Sequence, residues 1–240
     1  IDDDTDGVSS SAPPSTAAPS LPADSEGCTP LHSACAGGRL ECAKLLLEYT
    51  AAADEVLRAS SAKRVTPLAA ACRRRHADVA RLLVNDFGAP LDPTAIHLCL
   101  CKGEAELLSE LSASSDGGID GRIVETGVSA LMMAAEGGEE AAVETLLEMK
   151  ADPSAADHDG HTALMRAAFM GHAKIVGLLV KAGCAVDAVD AEGNSALHHA
   201  GRGAQEFVFD VLEMRHGANC ELRNAKGQLP EVASQPCRIS

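Results

Sequence analysis

The chain has no tryptophan, one tyrosine and four phenylalanines in 240 residues. Alanine and leucine must therefore do most of the packing, which suits short helices brought close together. Long apolar runs are also missing. None approaches the roughly 20 residues that a membrane-spanning helix needs, so no membrane insertion is expected. Positive charge is scarce: 20 Lys and Arg stand against 35 Asp and Glu, a formal charge of −15. That balance argues against a general nucleic-acid binder or a ligand of anionic membranes, since both attract positive charge. No basic region followed by an apolar run opens the chain, so no signal peptide is expected. A start at Ile1 leaves room for a trimmed N-terminal part.

What is present points to a folded interior. Hydrophobic residues make up 46 % of the chain. The nine cysteines are an odd number scattered through apolar stretches. That usage predicts buried thiols in a reducing compartment, hence an intracellular protein, cytoplasmic or nuclear, rather than a disulfide framework. Residues 1–27 are rich in Ser, Pro, Ala and Asp, with six acidic residues and no basic one. Such a segment buries too little apolar surface to offset chain entropy and is expected to be a disordered acidic tail. Without its six charges the formal charge falls from −15 to −9, so the folded body stays acidic.

From Cys28 onward the chain repeats itself. "TPLHSACAGGRLECAKLLLEY" from Thr29 aligns with "TPLAAACRRRHADVARLLV" from Thr66, "SALMMAAEGGEEAAVETLLEMKAD" from Ser129 and "TALMRAAFMGHAKIVGLLVKAG" from Thr162. "SALHHAGRGAQEFVFDVLEMRHGAN" from Ser195 continues the series. A fainter copy starts at Thr94, and "GQLPEVA" from Gly227 resembles the first half of a seventh. The period is nearly constant in the last units, which predicts a solenoid rather than one globular core. Within a unit, Thr29-Pro30 and Thr66-Pro67 supply an N-cap hydroxyl followed by a residue whose φ is already helical. Leu164, Ala167 and Ala168 then line one helix face at i, i+3, i+4, and Gly171-His172 breaks that helix. Ile175, Val176, Leu178 and Leu179 stripe a second helix, closed by Gly183 as a left-handed cap.

The "TPLH" tetrad at 29–32, the Ala pairs, the "GH" at 171–172, the "LL" pairs and "HGAN" at 216–219 resemble the ankyrin repeat. The resemblance covers about 28–233, six units plus a terminal half, with 234–240 left as a C-terminal tail. It implies an all-α solenoid of stacked helix-turn-helix repeats with short turns or hairpin fingers along one edge. It further implies a non-enzymatic scaffold that binds a partner protein through its concave face and fingertips. An alternative is a regulatory or targeting segment of a larger enzyme, channel or ubiquitin-ligase subunit, which the length of the natural reading frame would distinguish. The scaffold is expected to be monomeric and to need no cofactor.

The units are unequal. The link "FGAPLDP" before Thr94 is too short for a finger, repeat three has no Pro after its Thr, and "SASSDGGIDG" (112–121) reads as a flexible insertion. An irregular joint is expected at about 86–121. In the ankyrin-like pattern, the residue after the tetrad and the two before the central Gly face a partner. Those positions hold Met133 and Glu136, then Arg166, Phe169 and Met170, then His199 and Arg202. Repeat two adds a local basic patch in which Lys63 and Arg64 at a fingertip and Arg73 and Arg74 on the concave side suit an acidic or phosphorylated segment. His97, Cys99 and Cys101 fall on pattern positions and are expected to be buried structural residues. Zinc needs four ligands and no partner pair is evident. A thiol- or metal-dependent sensor using these three is the weakest class. His158 and His161 flank a fingertip and are expected to be solvated. No Ser/His/Asp or Cys/His arrangement stands outside the repeats, so no catalytic residue is proposed.

Overall fold

The computed structural model describes residues 23–25, 27–50, 57, 65–102, 104–114, 119–123 and 126–231. The N-terminal tail up to residue 22, the middle of the 112–121 insertion and the tail 234–240 lie outside them. Twelve helices are found among the described residues, two per repeat and no named strand. The first helices of each unit are α1 (Pro30–Ala36), α3 (Pro67–Arg73), α5 (Pro93–Cys101), α7 (Ala130–Gly137), α9 (Ala163–Met170) and α11 (Ala196–Arg202). The second helices are α2 (Leu40–Glu48), α4 (Ala77–Arg81), α6 (Ala105–Ser114), α8 (Glu140–Glu148), α10 (Ala173–Lys181) and α12 (Glu206–Asp210). Each first helix packs on the next, from α1 to α11; the second helices form an outer row that is interrupted between α6 and α8, where α8 packs on α5 instead.

The pattern positions explain this stack. Leu31, Leu68, Ile96, Leu131, Leu164 and Leu197 occupy one place in successive units and are all buried. The small residues three and four positions on from that leucine, such as Cys35, Ala71 and Cys72, Ala134 and Ala135, and Ala167 and Ala168, let neighbouring helices approach closely. Hydroxyl N-caps start the helices as expected: Thr66, Ser129 and Thr162 accept from the backbone N–H groups of Ala69, Met132 and Met165. In repeats one and six the tetrad histidine adds a second link. His32 and His198 bond their own N-cap residue through Nδ1 and reach the carbonyls of Val65 and Gln228 through Nε2. The tetrad histidine thus ties one unit to the next.

The "GH" pair has a related role. Gly171 ends α9 at φ 89°, and Gly138 ends α7 at φ 77°. The following residue packs onto the glycine of the previous unit, and its ring donates to the preceding helix: His76 Nε2 to the Ala36 carbonyl, His172 Nε2 to that of Glu136. A Cβ on Gly138 would stand 2.6 Å from the His172 ring.

Fingers form as short turns held by one acceptor each. Asp157 Oδ1 accepts from the N–H groups of Asp159 and His161; Asp190 Oδ1 accepts from Glu192 and Asn194. Adjacent fingers join through backbone bonds, Ala191 N–H to Asp159 O and Ala225 N–H to Glu192 O. Repeat three has no such finger. Asp92 replaces it as an N-cap, with Pro93 at the first helical position, so the unit does carry its proline, one residue before Thr94 rather than after it. Asp92 accepts from Ala95 N–H at 3.0 Å and from the Thr66 hydroxyl at 2.6 Å, which ties two N-caps directly. Helix α6 also runs to Ser114, so the first residues of the expected insertion are helical. Two outer helices end in π-turns, Leu82–Asp86 and Val211–Arg215. The closing left-handed residue then falls one place later (Gly88, Gly217) than in the neighbouring units (Lys150, Gly183), as one inserted residue requires.

The turn occupied by Gly38, Gly138 and Gly171 is filled by Ala204 in repeat six, at φ 54°. A left-handed L-residue costs about 1–2 kcal/mol, offset in part by the chain entropy of glycine. Ala204→Gly is therefore expected to stabilise the domain by about 0.5–1 kcal/mol. A urea denaturation midpoint that stays put or falls would contradict this account.

Candidate partner-binding surface

The seven residues expected on the concave strip of repeats four to six separate into two groups. Phe169 and Met170 are exposed at 42 % and 46 %, less than Phe207 and Met214 on the outer row, but adjacent to each other on the inner strip. Glu136 and Arg202 are exposed beside them, and Met133 is half-buried. A cleft of about 240 Å³ is lined by Glu136, Arg166, Phe169, Met170 and Arg202, with His161, Met165 and His199. The other group faces inward. His199, expected to be exposed, is buried, because its ring donates to Asp190 Oδ2 at 2.9 Å. Arg166 is mostly covered and bridges two carboxylates, with Asp157 Oδ2 at 2.7 Å and Glu136 on its other nitrogen.

The floor of the cleft is a polar network that the sequence reading missed. His161, expected to be solvated, is half-buried, with Nδ1 3.3 Å from Asp157 and Nε2 3.6 Å from Asp190. Its ring meets that of His199 edge-on at 5.3 Å between centroids. His158 is exposed, as expected. The available signal was an Asp three places before each fingertip Gly, at 157 and 190. Its spacing suits a turn acceptor, and its second oxygen remains for the helix behind.

Charge states follow from these contacts. Burial by itself would raise the Asp157 carboxyl, but the Arg166 hydrogen bond, the His161 N–H and both positive neighbours hold it below the usual carboxylate range. Asp190 is likewise opposed by burial and lowered on balance by Asn194 and His199. Burial depresses His199 more than its hydrogen bond to Asp190 raises it.

In repeat two, Arg73 and Arg74 are exposed, as expected. Arg75 pairs with Glu104 at 2.8 Å, and Arg81 reaches Glu110 and Asp78. Lys63 and Arg64 lie outside the described residues, so the convergence expected between the two groups carries no structural statement. Cys99 is buried as expected, whereas Cys101 is exposed and His97 is half-buried, because both turn toward Glu139.

A row of two-helix units that presents side chains along one strip, with fingers along its edge, defines a repeat-solenoid class of protein. The family model described as ankyrin repeats (3 copies) matches two segments, residues 16–93 and 131–224, and the chain belongs to the ankyrin-repeat family. Repeat three falls in the gap between the matched segments. Among solved structures, the ankyrin repeat domain of Bcl-3, described as a unique member of the IkappaB protein family, is 29 % identical with a TM-score of 0.62. The match covers 85 % of this chain and 93 % of that one. No curated protein sequence matches the chain. Ankyrin repeats form a protein-interaction domain, and the fold is typically non-catalytic. No helix among the described residues is long and apolar enough to cross a membrane.

The buried network makes stability depend on pH. His199, Asp157 and Asp190 all have depressed values in the folded state, so each contributes stability above its unfolded value that is lost on acidification. Melting temperature should fall first below about pH 6.5 as His199 is forced to charge, and again below about pH 4 as the carboxylates protonate. His199→Gln keeps a donor for Asp190 without a titrating ring and should remove the first decline. Thermal melts between pH 8 and 3 that show the same first decline in this variant would contradict the assignment.

Proposed function

We propose that this chain is a non-enzymatic scaffold, intracellular and monomeric, which binds a partner protein through its concave face and fingertips. The observation that carries this reading is the exposed Phe169–Met170 pair beside a cleft, flanked by Glu136 and Arg202. Aromatic, Met and Arg residues are enriched at interface centres and hot spots. The network beneath, from Arg166 and Asp157 to Asp190 and His199, holds the strip rigid, so binding has little to order. In this reading Arg166 and His199 support the surface from below, while Phe169, Met170, Glu136 and Arg202 touch the partner. The eight cysteines of the described residues are all free thiols, which supports a reducing compartment.

The test uses the partner recovered by affinity capture from the source cell and identified by mass spectrometry. Phe169→Ala is expected to weaken its binding by about 2 kcal/mol, about thirtyfold in Kd, with the melting temperature barely changed. A variant that melts clearly earlier and binds normally would assign Phe169 to the core.

A second contact surface is carried by Arg73 and Arg74, two exposed guanidinium groups with no acidic partner among the described residues. An acidic or phosphorylated segment of the partner suits them, since an Arg fork pairs two acceptor oxygens at once. Reversing both to Glu is expected to weaken that partner and to flatten the salt dependence of the remaining affinity. Binding and salt dependence that both stay unchanged would reduce the patch to a solvated face.

A further inference from the structure

At the first residue after each central turn, most repeats place a donor. His76 and His172 give a proton to a carbonyl of the preceding first helix, and Gln205 stands at the same place in repeat six. Repeat three has Glu104 there, paired with Arg75, and repeat four has Glu139; a carboxylate accepts and cannot make that bond. The preceding unit departs at the matching place. His97, on the tetrad position, does not bond its N-cap as His32 and His198 do; its Nε2 lies 2.7 Å from Glu139 Oε2. One turn further along the same helix, the Cys101 Sγ lies 2.9 Å from that oxygen and 3.4 Å from His97 Nε2. One nitrogen, one sulfur and one carboxylate oxygen therefore converge from two repeats at a partly open surface.

We propose that His97, Cys101 and Glu139 form a zinc-class divalent cation site that joins repeats three and four. The donor set is of the mixed soft and borderline kind that selects zinc over magnesium or calcium. Tetrahedral zinc with bonds of about 2.0–2.3 Å separates its ligand atoms by about 3.3–3.7 Å. The Cys101–His97 separation already fits, and the two separations to Glu139 need to widen by about 0.6–0.7 Å, a small side-chain rotation; the exposure of Cys101 leaves a fourth position for water. Ionised thiolate and carboxylate together balance the two positive charges of the metal. Each ion bound displaces the Cys101 thiol proton to solvent, and His97 turns its Nε2 lone pair to the metal, its ring proton moving to Nδ1. Without metal the thiol keeps its proton: burial, together with the Glu139 hydrogen bond and charge, pushes it up to about 12. The site lies where α8 also packs against α5, at the unit the repeat pattern fits least well.

The test is a titration of the full chain with Co2+ as a spectroscopic stand-in for Zn2+, after chelator treatment and under anaerobic conditions. One equivalent should bind with tetrahedral d–d absorption and a thiolate charge-transfer band, and Zn2+ should displace it. Cys101→Ser should abolish the charge-transfer band, while His97→Ala and Glu139→Gln should each weaken binding about tenfold or more. Cys42→Ser, at an exposed cysteine elsewhere, should change neither. Circular dichroism of each variant should show the helix content of the parent. A wild-type chain without the charge-transfer band, or a band that survives Cys101→Ser, overturns the site.

Discussion

A helix of five to ten residues does not hold its shape alone in water, because the nucleating turn costs more than so few hydrogen bonds return. Each unit here consists of two such helices. Their stability comes from the close contact of one first helix with the next, which small side chains such as Ala71, Ala135, Ala167 and Ala168 permit. The scarcity of aromatics follows from that contact, since bulky rings along the inner row would separate the stack.

The polar links obey the same constraint. Successive units must fix their register as well as touch, and directional bonds across the repeat boundary do this. His32 and His198 reach the carbonyls of Val65 and Gln228 in the next unit, His76 and His172 reach back to the preceding helix, and Asp92 ties its cap to Thr66. Where the usual bonding group is absent, a neighbour changes to compensate. Repeat three has no finger and uses an Asp cap; repeat four offers a carboxylate, and His97 and Cys101 turn to meet it.

This division of labour shapes the exposed strip of the inner row. The fingertip aspartates are engaged twice, once by their own turn and once by Arg166 or His199 from the helix behind. A strip supported in this way can leave Phe169 and Met170 exposed without collapse, because the carboxylates and ring beneath them are engaged, although the Arg166 Nε is buried without a partner. The ankyrin-repeat family relies on such rigidity: the scaffold is generic, and a few surface side chains carry the specificity.

The sequence by itself determined the repeat, its helix pair and its all-α stack, since these follow from periodicity, capping residues and turn glycines, all local in the chain. It also placed Phe169, Met170, Glu136 and Arg202 on an exposed strip by counting from the tetrad. Only the tertiary structure decided which polar side chains on that strip face inward. His199 and Arg166 occupy positions that the pattern marks as outward, yet carboxylates on fingers nine residues earlier draw them under the surface. Glu139 meets Cys101 across 38 residues of sequence, a pairing with no local signature. Periodicity reports which face a residue starts from; the partner that captures its polar end is set by contacts between repeats, where distance along the chain carries no information.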